Sequence, residues 1–247
     1  MIVMAGQGKL PATHVIVADT GDENDMLWSN GRRTDARTYF EEVTQPLAEE
    51  MGLTAAFVRA VDKDKVQLPP LHLTQHLAAE DKPYNIDMPL FGSRGGRLKQ
   101  SCTSKYKVAT IRQQLRRWGA TTATTAIGFT ISEVHRIKPD DVKWCTKTYP
   151  LVDHGIHRAT AIQRLSDMGI PYLITTECDK CPHKDWARWK RTSPDAIREA
   201  AKFEAAFDGE FFLTQYRVPL PDAIDLMSSD DRYQMLLSSC DTEYCFV

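Results

Sequence analysis

Two cysteines near residue 180 have a spacing that suits metal binding or thiol redox chemistry. Cys178 and Cys181 are separated by two residues and followed by Pro182 and His183. This spacing lets both sulfurs bind one metal ion or form one redox pair, and the turn between them offers backbone N–H groups to the sulfurs. A single Cys-x-x-Cys pair supplies only two ligands, so a metal centre needs further residues from elsewhere in the chain.

The other four cysteines are candidates for the missing ligands. Cys102 lies in a charged segment where an inert core cysteine would be out of place, so it is the best candidate for a third ligand. Cys240 and Cys245 are both candidates for a fourth. Cys145 follows Trp144 in a segment that is expected to be packed, and it is predicted to be structural.

The residues alone leave the identity of the metal open between zinc and iron. Thiolate-rich sites favour zinc or an iron–sulfur cluster. Histidine can complete a zinc site, and His183 lies beside the cysteine pair, with His154 and His157 upstream. Isolated histidines are more often surface residues than ligands, and the spacing does not decide between the two metals.

A long stretch of the chain is basic and contains no acidic residue. Between Asp87 and Glu133 there are eight basic side chains: Arg94, Arg97, Lys99, Lys105, Lys107, Arg112, Arg116 and Arg117. Such a segment predicts a local positive field that attracts a nucleotide, a sulfated nucleotide or a nucleic-acid backbone. A solvated helix face is an equally good explanation for the last three. The glycine-rich run 92–97 lacks the Walker pattern of a phosphate loop.

Alternating strands and helices are predicted to position these residues. A β-branched strand, 14–18, ends at Asp19-Thr20-Gly21, where Asp19 suits a ribose hydroxyl, a metal or a plain turn. Further strands are predicted at 54–61, up to Ile131 and at 171–175, and helices at 35–51, 109–118, 157–168 and 193–207. A proline-bearing excursion covers 62–100, and the last forty residues are predicted to be irregular. The pattern predicts an α/β layered fold with a mostly parallel sheet.

Composition excludes several classes of protein. The chain has 247 residues, 42% of them apolar and 26% charged, and its formal charge is -2, which excludes a uniformly basic nucleic-acid coat. No apolar stretch approaches the roughly 20 residues of a membrane span, and the N-terminus lacks the basic lead, long apolar segment and cleavage site of a secretory signal. Without export, six cysteines indicate thiols or ligands in a reducing cytoplasm. Serine-triad, H-E-x-x-H and dinucleotide-binding patterns are also absent.

Several segments together resemble the phosphoadenosine phosphosulfate reductase family, within the adenine-nucleotide alpha-hydrolase-like group. Val15–Gly21 resembles its second strand and loop, and Ser101–Val108 its Cys-Thr-x-x-Tyr-Lys-Ile segment. Ile127–Glu133 with Arg136 is similar to its Ile-Gly-Ile-Ser strand, and Tyr149–Leu151 to its Tyr-Pro-Leu strand. Glu177–His183 with Trp186 resembles its Cys-x-x-Cys-Pro-Phe segment, and Cys240–Cys245 the tail of bacterial and phage members.

The resemblance implies a Rossmann-like three-layer sandwich that binds an adenine nucleotide. Residues 1–176 would form the nucleotide-binding α/β domain, and 177–247 a cysteine-containing helical and irregular extension packed on it. Members reduce a sulfonucleotide, or use ATP to pass sulfur to tRNA or DNA, so the chain is expected to be a reductase-like oxidoreductase or a sulfurtransferase. Several members carry a [4Fe–4S] cluster.

The resemblance also assigns roles to residues, although it names no catalytic one. Its cluster ligands would be Cys102, Cys178, Cys181 and Cys245. Its phosphate or sulfate contacts would come from Lys105, Lys107 and Arg136, to which the basic segment adds Arg97, and its nucleotide crevice from Asp19, Thr20 and Gly21.

One departure from the family concerns the phosphate loop. The family opens with a strand and a Ser-Gly-Gly-x-Asp-Ser or glycine-serine loop around the ATP pyrophosphate, whereas Met1–Gly6 matches only the end of the helix that follows. Either the start lies too late in the reading frame or the feature is lost. The second case motivates an alternative hypothesis, a non-catalytic, zinc-stapled module that binds nucleotide or nucleic acid.

Overall fold

The computed structural model describes residues 1–79 and 82–229, with the backbone alone described at 76–79, 82–85 and 229. Its strands are β1 His14–Asp19, β2 Met26–Leu27, β3 Arg33–Thr34, β4 Thr54–Arg59, β5 His76–Ala79, β6 Lys82–Asn85, β7 Phe91–Gly92, β8 Ala123–Ala126, β9 Cys145–Thr148 and β10 Phe211–Phe212. Its α-helices are α1 Ile2–Gly6, α2 Ala36–Tyr39, α3 Gln45–Glu50, α4 Ala109–Arg117, α5 Pro150–Asp153, α6 Arg158–Asp167, α7 Trp186–Arg191, α8 Pro194–Ala205 and α9 Leu220–Ser229.

The fold is mixed α/β, with two parallel strand pairs. β1 pairs with β4 from His14 opposite Thr54 to Asp19 opposite Arg59, and β8 pairs with β9. Both pairs are joined through long connections, as parallel pairing requires. The remaining described pairs are antiparallel and short: β2 with β3, β5 with β6, and β7 with β10. Among the described residues the two parallel pairs are not hydrogen-bonded into one sheet.

The connection from β1 to β4 contains β2 and β3 followed by one helical stretch. Asp35 caps α2 by accepting a hydrogen bond from the Thr38 backbone N–H (2.7 Å). α2 continues through a π-helical turn, Phe40–Thr44, into α3, where Pro46 lies in the first turn. Proline lacks an N–H and clashes with the preceding turn, so the irregular turn lies where the sequence predicts a kink.

Two sequence predictions about secondary structure are wrong. Residues 171–175 do not form a strand, because only an isolated bridge joins Leu173 to Trp28. The backbone of 171–175 is instead held by single bonds, such as the Ile174 N–H to the Leu27 carbonyl (2.7 Å). The tail predicted to be irregular contains α9, whose apolar residues pack into the main core.

The main hydrophobic core combines residues from both halves of the chain. Trp189 and Phe207 are 1% exposed, and they belong to one buried cluster with Leu71, Leu90 and Tyr106. The range 177–229 therefore shares a core with the preceding residues. A smaller cluster around Met4, Leu10 and Ile156 joins α1 to the region of α5. In the described ranges, no helix combines the length and the apolar character needed to cross a membrane.

Candidate functional site

The end of β1 is a tightly bonded turn. The Asp19 carboxylate accepts hydrogen bonds from the Arg59 guanidinium (Nε 2.8 Å) and from the Gly21 backbone N–H (2.7 Å). Arg59 is the last residue of β4, so this ion pair joins the carboxyl ends of the two parallel strands. Ligands bind at that end of open α/β sheets, and here Asp19, which is 5% exposed, orders the edge rather than facing solvent.

Gly21 is required by both its backbone and its surroundings. Its φ is +77°, and a Cβ there would lie 2.9 Å from Pro70 Cα and 3.0 Å from the Arg59 guanidinium. The left-handed region favours glycine, and a backbone neighbour at that distance leaves no room for a side chain. Pro70 directly precedes a 3₁₀ turn, Leu71–Thr74, which is therefore held against the end of β1.

Thr20 and Glu23 connect the turn after β1 to the cysteine pair. Glu23 accepts hydrogen bonds from the Thr20 backbone N–H (3.2 Å) and hydroxyl (2.6 Å). The Cys178 thiol donates to the other Glu23 oxygen (3.3 Å), and its sulfur lies 3.5 Å from the Thr20 hydroxyl. All three residues are buried. The predicted nucleotide crevice and the Cys-x-x-Cys pair therefore both contact one carboxylate, that of Glu23.

Lys107 supplies a positive charge to the same carboxylate. Its ammonium lies 3.3 Å from the Glu23 oxygen that also accepts the Cys178 thiol hydrogen. Lys107 belongs to a π-helical segment, Thr103–Val108, that leads into α4 and contacts β1. A thiol, a carboxylate and an ammonium in contact can exchange a proton, with the carboxylate as acceptor and the ammonium as counter-charge.

Asp22 joins the same turn to two further elements. Its carboxylate is fully buried and accepts hydrogen bonds from the His72 backbone N–H (2.7 Å) and ring Nδ1 (2.5 Å). The Lys180 ammonium lies 3.5 Å away. Lys180 belongs to the segment 178–181 that carries the two cysteines, here called the cysteine turn. A buried carboxylate is stable only when paired, and these donors satisfy it.

A second carboxylate, that of Asp179, also holds the cysteine turn against the residues that follow β1. Its carboxylate accepts hydrogen bonds from the backbone N–H groups of Asn24 and Asp25 and from the Asn24 amide. Burial raises the pKa of Asp179, while Lys184 and these donors act in the opposite direction. The cysteine turn is thus held by backbone and charged contacts that do not involve its sulfur atoms.

Cys102 is linked by hydrogen bonds through Gln100 to His183, which lies just after the cysteine turn. The Gln100 amide donates to the Cys102 sulfur (3.8 Å) and accepts from His183 Nε2 (3.1 Å). Burial raises the pKa of the Cys102 thiol. His183 Nδ1 accepts from Arg97 (3.0 Å), and burial together with Arg97, Arg188 and other arginines lowers the pKa of His183 to about 4. His183 is therefore neutral at pH 7, with its hydrogen on Nε2.

Part of the basic segment is paired with carboxylates from other parts of the chain. Lys105 contacts Asp87 (2.7 Å), Lys107 contacts Glu23 (3.3 Å), and Arg112 contacts Asp141 (2.6 Å). Outside the segment, Arg136 contacts Glu133 (2.7 Å). Arg97, another of the predicted anion contacts, donates a hydrogen bond to the His183 ring. An anion that binds to Lys105, Lys107 or Arg136 must therefore compete with an existing ion pair.

The described residues do not form a ligand set for a metal cluster. No group of three or more histidine, cysteine, aspartate or glutamate side chains in the described ranges is arranged to hold a metal ion. A [4Fe–4S] cluster needs four thiolates, and here the Cys178 hydrogen is directed at Glu23. Cys240 and Cys245 lie outside the described residues, so the predicted fourth ligand stays a prediction.

Sequence reasoning missed Asp22, Glu23, His72 and Lys180. The signal for the first two was present, because an acidic pair lies three residues beyond the strand end, where ligand-binding side chains collect. His72 lies in the proline-bearing excursion, outside any motif. Lys180 lies within the Cys-x-x-Cys motif, but that pattern marks the cysteines and not the residues between them. Comparison of the chain with protein-family models, curated proteins and solved structures finds no match.

Proposed function

We propose that this chain binds an adenine nucleotide at the carboxyl end of β1 and uses it in sulfur chemistry. The single observation that carries the proposal is the contact of Cys178 with Glu23, which brings a thiol to the strand end where α/β folds bind nucleotides. The family resemblance of the same two segments adds the substrate class. The reaction is either reduction of a sulfonucleotide or ATP-dependent sulfur transfer to tRNA or DNA.

The fold proposed with this function is a Rossmann-like three-layer sandwich. Two parallel pairs, β1 with β4 and β8 with β9, are the elements such a sheet requires. α3 packs beside β4, and α4 packs on both β1 and β4. The crevice would lie beyond the carboxyl end of β1, next to the turn 19–23.

The residues of the site suggest how the nucleotide is held. Asp19 and Gly21 shape the turn, while the Lys107 ammonium, which pairs with the Glu23 oxygen that accepts the thiol, would exchange Glu23 for a phosphate or sulfate. Arg97, Lys105 and Arg136 would supply further anion contacts. A [4Fe–4S] cluster, or zinc in its place, stays part of the prediction, but no step of this proposal uses it.

Binding measurements test the nucleotide part of the proposal. Calorimetry on protein purified without oxygen would compare ATP, adenosine phosphosulfate and GTP, and adenine nucleotides are expected to bind more tightly. Lys107→Met should weaken that binding about tenfold or more, as expected for a lost charge-assisted contact. Lys99→Met is the matched control, since Lys99 is exposed within the same basic segment. Equal binding of GTP, or equal loss in both variants, would argue against the proposal.

Activity measurements separate the two reaction types from the alternative. Release of sulfite from a sulfonucleotide and a dithiol, with the dithiol oxidised to a disulfide, would identify a reductase. Exchange of pyrophosphate into ATP would identify the sulfur-transfer type. Neither activity, together with one zinc per chain and salt-sensitive binding of nucleic acid, would identify the non-catalytic zinc-stapled module instead.

A further inference from the structure

Asp22 and His72 form a pair that no motif predicted. His72 lies in the 3₁₀ turn Leu71–Thr74, and its ring Nδ1 is 2.5 Å from Asp22 Oδ1. The other carboxylate oxygen accepts the His72 backbone N–H at 2.7 Å. Asp22 thus holds both the backbone and the ring of the same histidine. This double contact fixes the ring orientation and places the ring hydrogen on Nδ1.

The opposite ring nitrogen of His72 is available for chemistry. Within the described residues, no protein group is hydrogen-bonded to Nε2. The His72 side chain is 25% exposed, whereas the Asp22 side chain is completely buried. The ring also contacts the edge of Phe203, with centroids 6.4 Å apart. A buried carboxylate that is hydrogen-bonded to one nitrogen of a partly exposed imidazole makes the other nitrogen an oriented proton acceptor.

The pair lies at the proposed nucleotide crevice. The backbone N–H of Leu71 donates to the Thr20 carbonyl (2.9 Å), which fixes the 3₁₀ turn against the end of β1. The Lys180 ammonium, 3.5 Å from Asp22, ties the pair to the cysteine turn as well. His72 therefore projects from the same edge as Gly21 and Glu23.

We propose that His72 is a catalytic general base at this edge and that Asp22 is its positioning residue. The proton of an attacking thiol or hydroxyl passes to His72 Nε2, and the electron pair left on the attacking atom forms the new bond to the sulfur of a sulfonucleotide or to the α-phosphorus of ATP. The bond from that sulfur or phosphorus atom to the leaving nucleotide or pyrophosphate breaks, and the leaving group takes its electron pair. The Asp22 carboxylate stabilises the imidazolium that forms. The same proton then returns to the leaving group or to water, so the histidine is regenerated. This inference rests on the proposed function for the identity of the bound substrate.

The first test measures the tautomer of His72 and needs no ligand. Nitrogen-15 NMR of the full chain, with His72→Gln to assign the signal, is expected to show hydrogen on Nδ1. Asp22→Asn should move it to Nε2, because the oxygen of the new amide accepts the His72 backbone N–H and its NH₂ then faces Nδ1. Hydrogen on Nε2 in the unmodified protein would overturn the proposal. Circular dichroism establishes that both variants are folded.

The second test measures whether bound nucleotide covers the Nε2 atom of His72. Diethyl pyrocarbonate acylates unprotonated imidazole, and peptide mass spectrometry reports each histidine separately. With ATP at ten times its Kd, about a tenth of the protein is free, so acylation of His72 should slow about tenfold. Exposed His154, which lies by the smaller cluster, is the control and should react at an unchanged rate.

The outcomes separate this proposal from the proposed function. Bound ATP without protection of His72 would overturn the general base while leaving nucleotide binding in place. Absence of binding of both ATP and adenosine phosphosulfate, with the Nδ1 tautomer and fast acylation retained, would refute the proposed function and support His72 as an oriented base for another substrate.

Discussion

The Cys178 thiol donates a hydrogen bond to the Glu23 carboxylate across 155 residues of sequence, with 3.3 Å between Sγ and Oε1. The contact joins the turn after β1 to the cysteine turn in the buried interior. Because Lys107 lies on the same carboxylate oxygen, the thiol and the ammonium share one acceptor. The carboxylate therefore accepts the thiol hydrogen bond and pairs with the ammonium at the same time.

Replacement of Glu23 by Gln is expected to activate Cys178. The substitution removes the negative charge that opposes a thiolate and frees the Lys107 ammonium to stabilise one. The rate of iodoacetamide modification at pH 7, measured for the Cys178 peptide by mass spectrometry, should rise several-fold. Glu210→Gln, at an exposed position, is the control and should leave the rate unchanged. A slower reaction in the Glu23 variant would show that the carboxylate acts mainly by withdrawing the thiol proton.

Gly21→Ala should destabilise the protein more than Gly8→Ala. Both glycines have positive φ, +77° and +70°, but a Cβ at Gly21 meets Pro70 at 2.9 Å, whereas nothing lies within 4 Å of one at Gly8. Alanine at Gly8 should cost about 1 kcal/mol of unfolding free energy for its backbone conformation alone. Alanine at Gly21 should cost roughly 2–4 kcal/mol, because steric strain is added. Urea unfolding measures both, and equal losses would mean that the Pro70 contact relaxes freely.

The strand-end turn and the cysteine turn could be found in the sequence, but their shared residues could not. A β-branched run that stops at Asp19 and a Cys-x-x-Cys pair are local patterns, and each predicts its own chemistry. The Glu23–Cys178 and Asp22–Lys180 contacts depend on chain folding over more than 150 residues, which no local period records.

The charge of the basic segment also depends on long-range contacts that the local sequence does not record. The segment is free of acids in sequence, yet Asp87, Glu23 and Asp141 approach it in space. Ion pairing is decided by tertiary neighbours, so a charge count along the chain does not record these three pairs. The helix α9 was missed for a related reason, because its apolar residues become recognisable only with the core that they complete.

Glu204 is expected to stabilise the C-terminal part of the fold through buried hydrogen bonds. Its two oxygens accept the backbone N–H groups of Leu213 and Leu220, each at 2.6 Å. Glu204→Ala leaves two buried donors unpaired and should cost roughly 2–6 kcal/mol of unfolding free energy, at about 1–3 kcal/mol for each. Glu199→Ala on the same helix removes only an exposed contact with Lys202 and should change stability by less than about 0.5 kcal/mol.

The pH dependence of Glu204 can be tested in the same experiment. Burial raises the pKa of Glu204, so the folded state binds its proton more readily than the unfolded state. The Glu204 contribution to stability therefore increases as the pH falls through the folded-state pKa and is complete below the unfolded value. Glu204→Gln should remove this increase. An identical pH profile in the wild type and the Gln variant would contradict the assignment.

His183 should give a pH dependence of the opposite sign. Its pKa is lowered to about 4 by burial and by nearby arginines, from an unfolded value of 6.5. The unfolded chain therefore binds a proton first, so stability is complete above pH 6.5 and decreases as the pH falls towards 4. His183→Gln keeps an acceptor for Arg97 and a donor for Gln100 but cannot be protonated. The urea midpoint should therefore fall less between pH 7 and pH 5 in His183→Gln than in the wild type. His154→Gln, which removes an exposed histidine, should behave like the wild type, and an equal fall in all three proteins would exclude His183 as the group responsible.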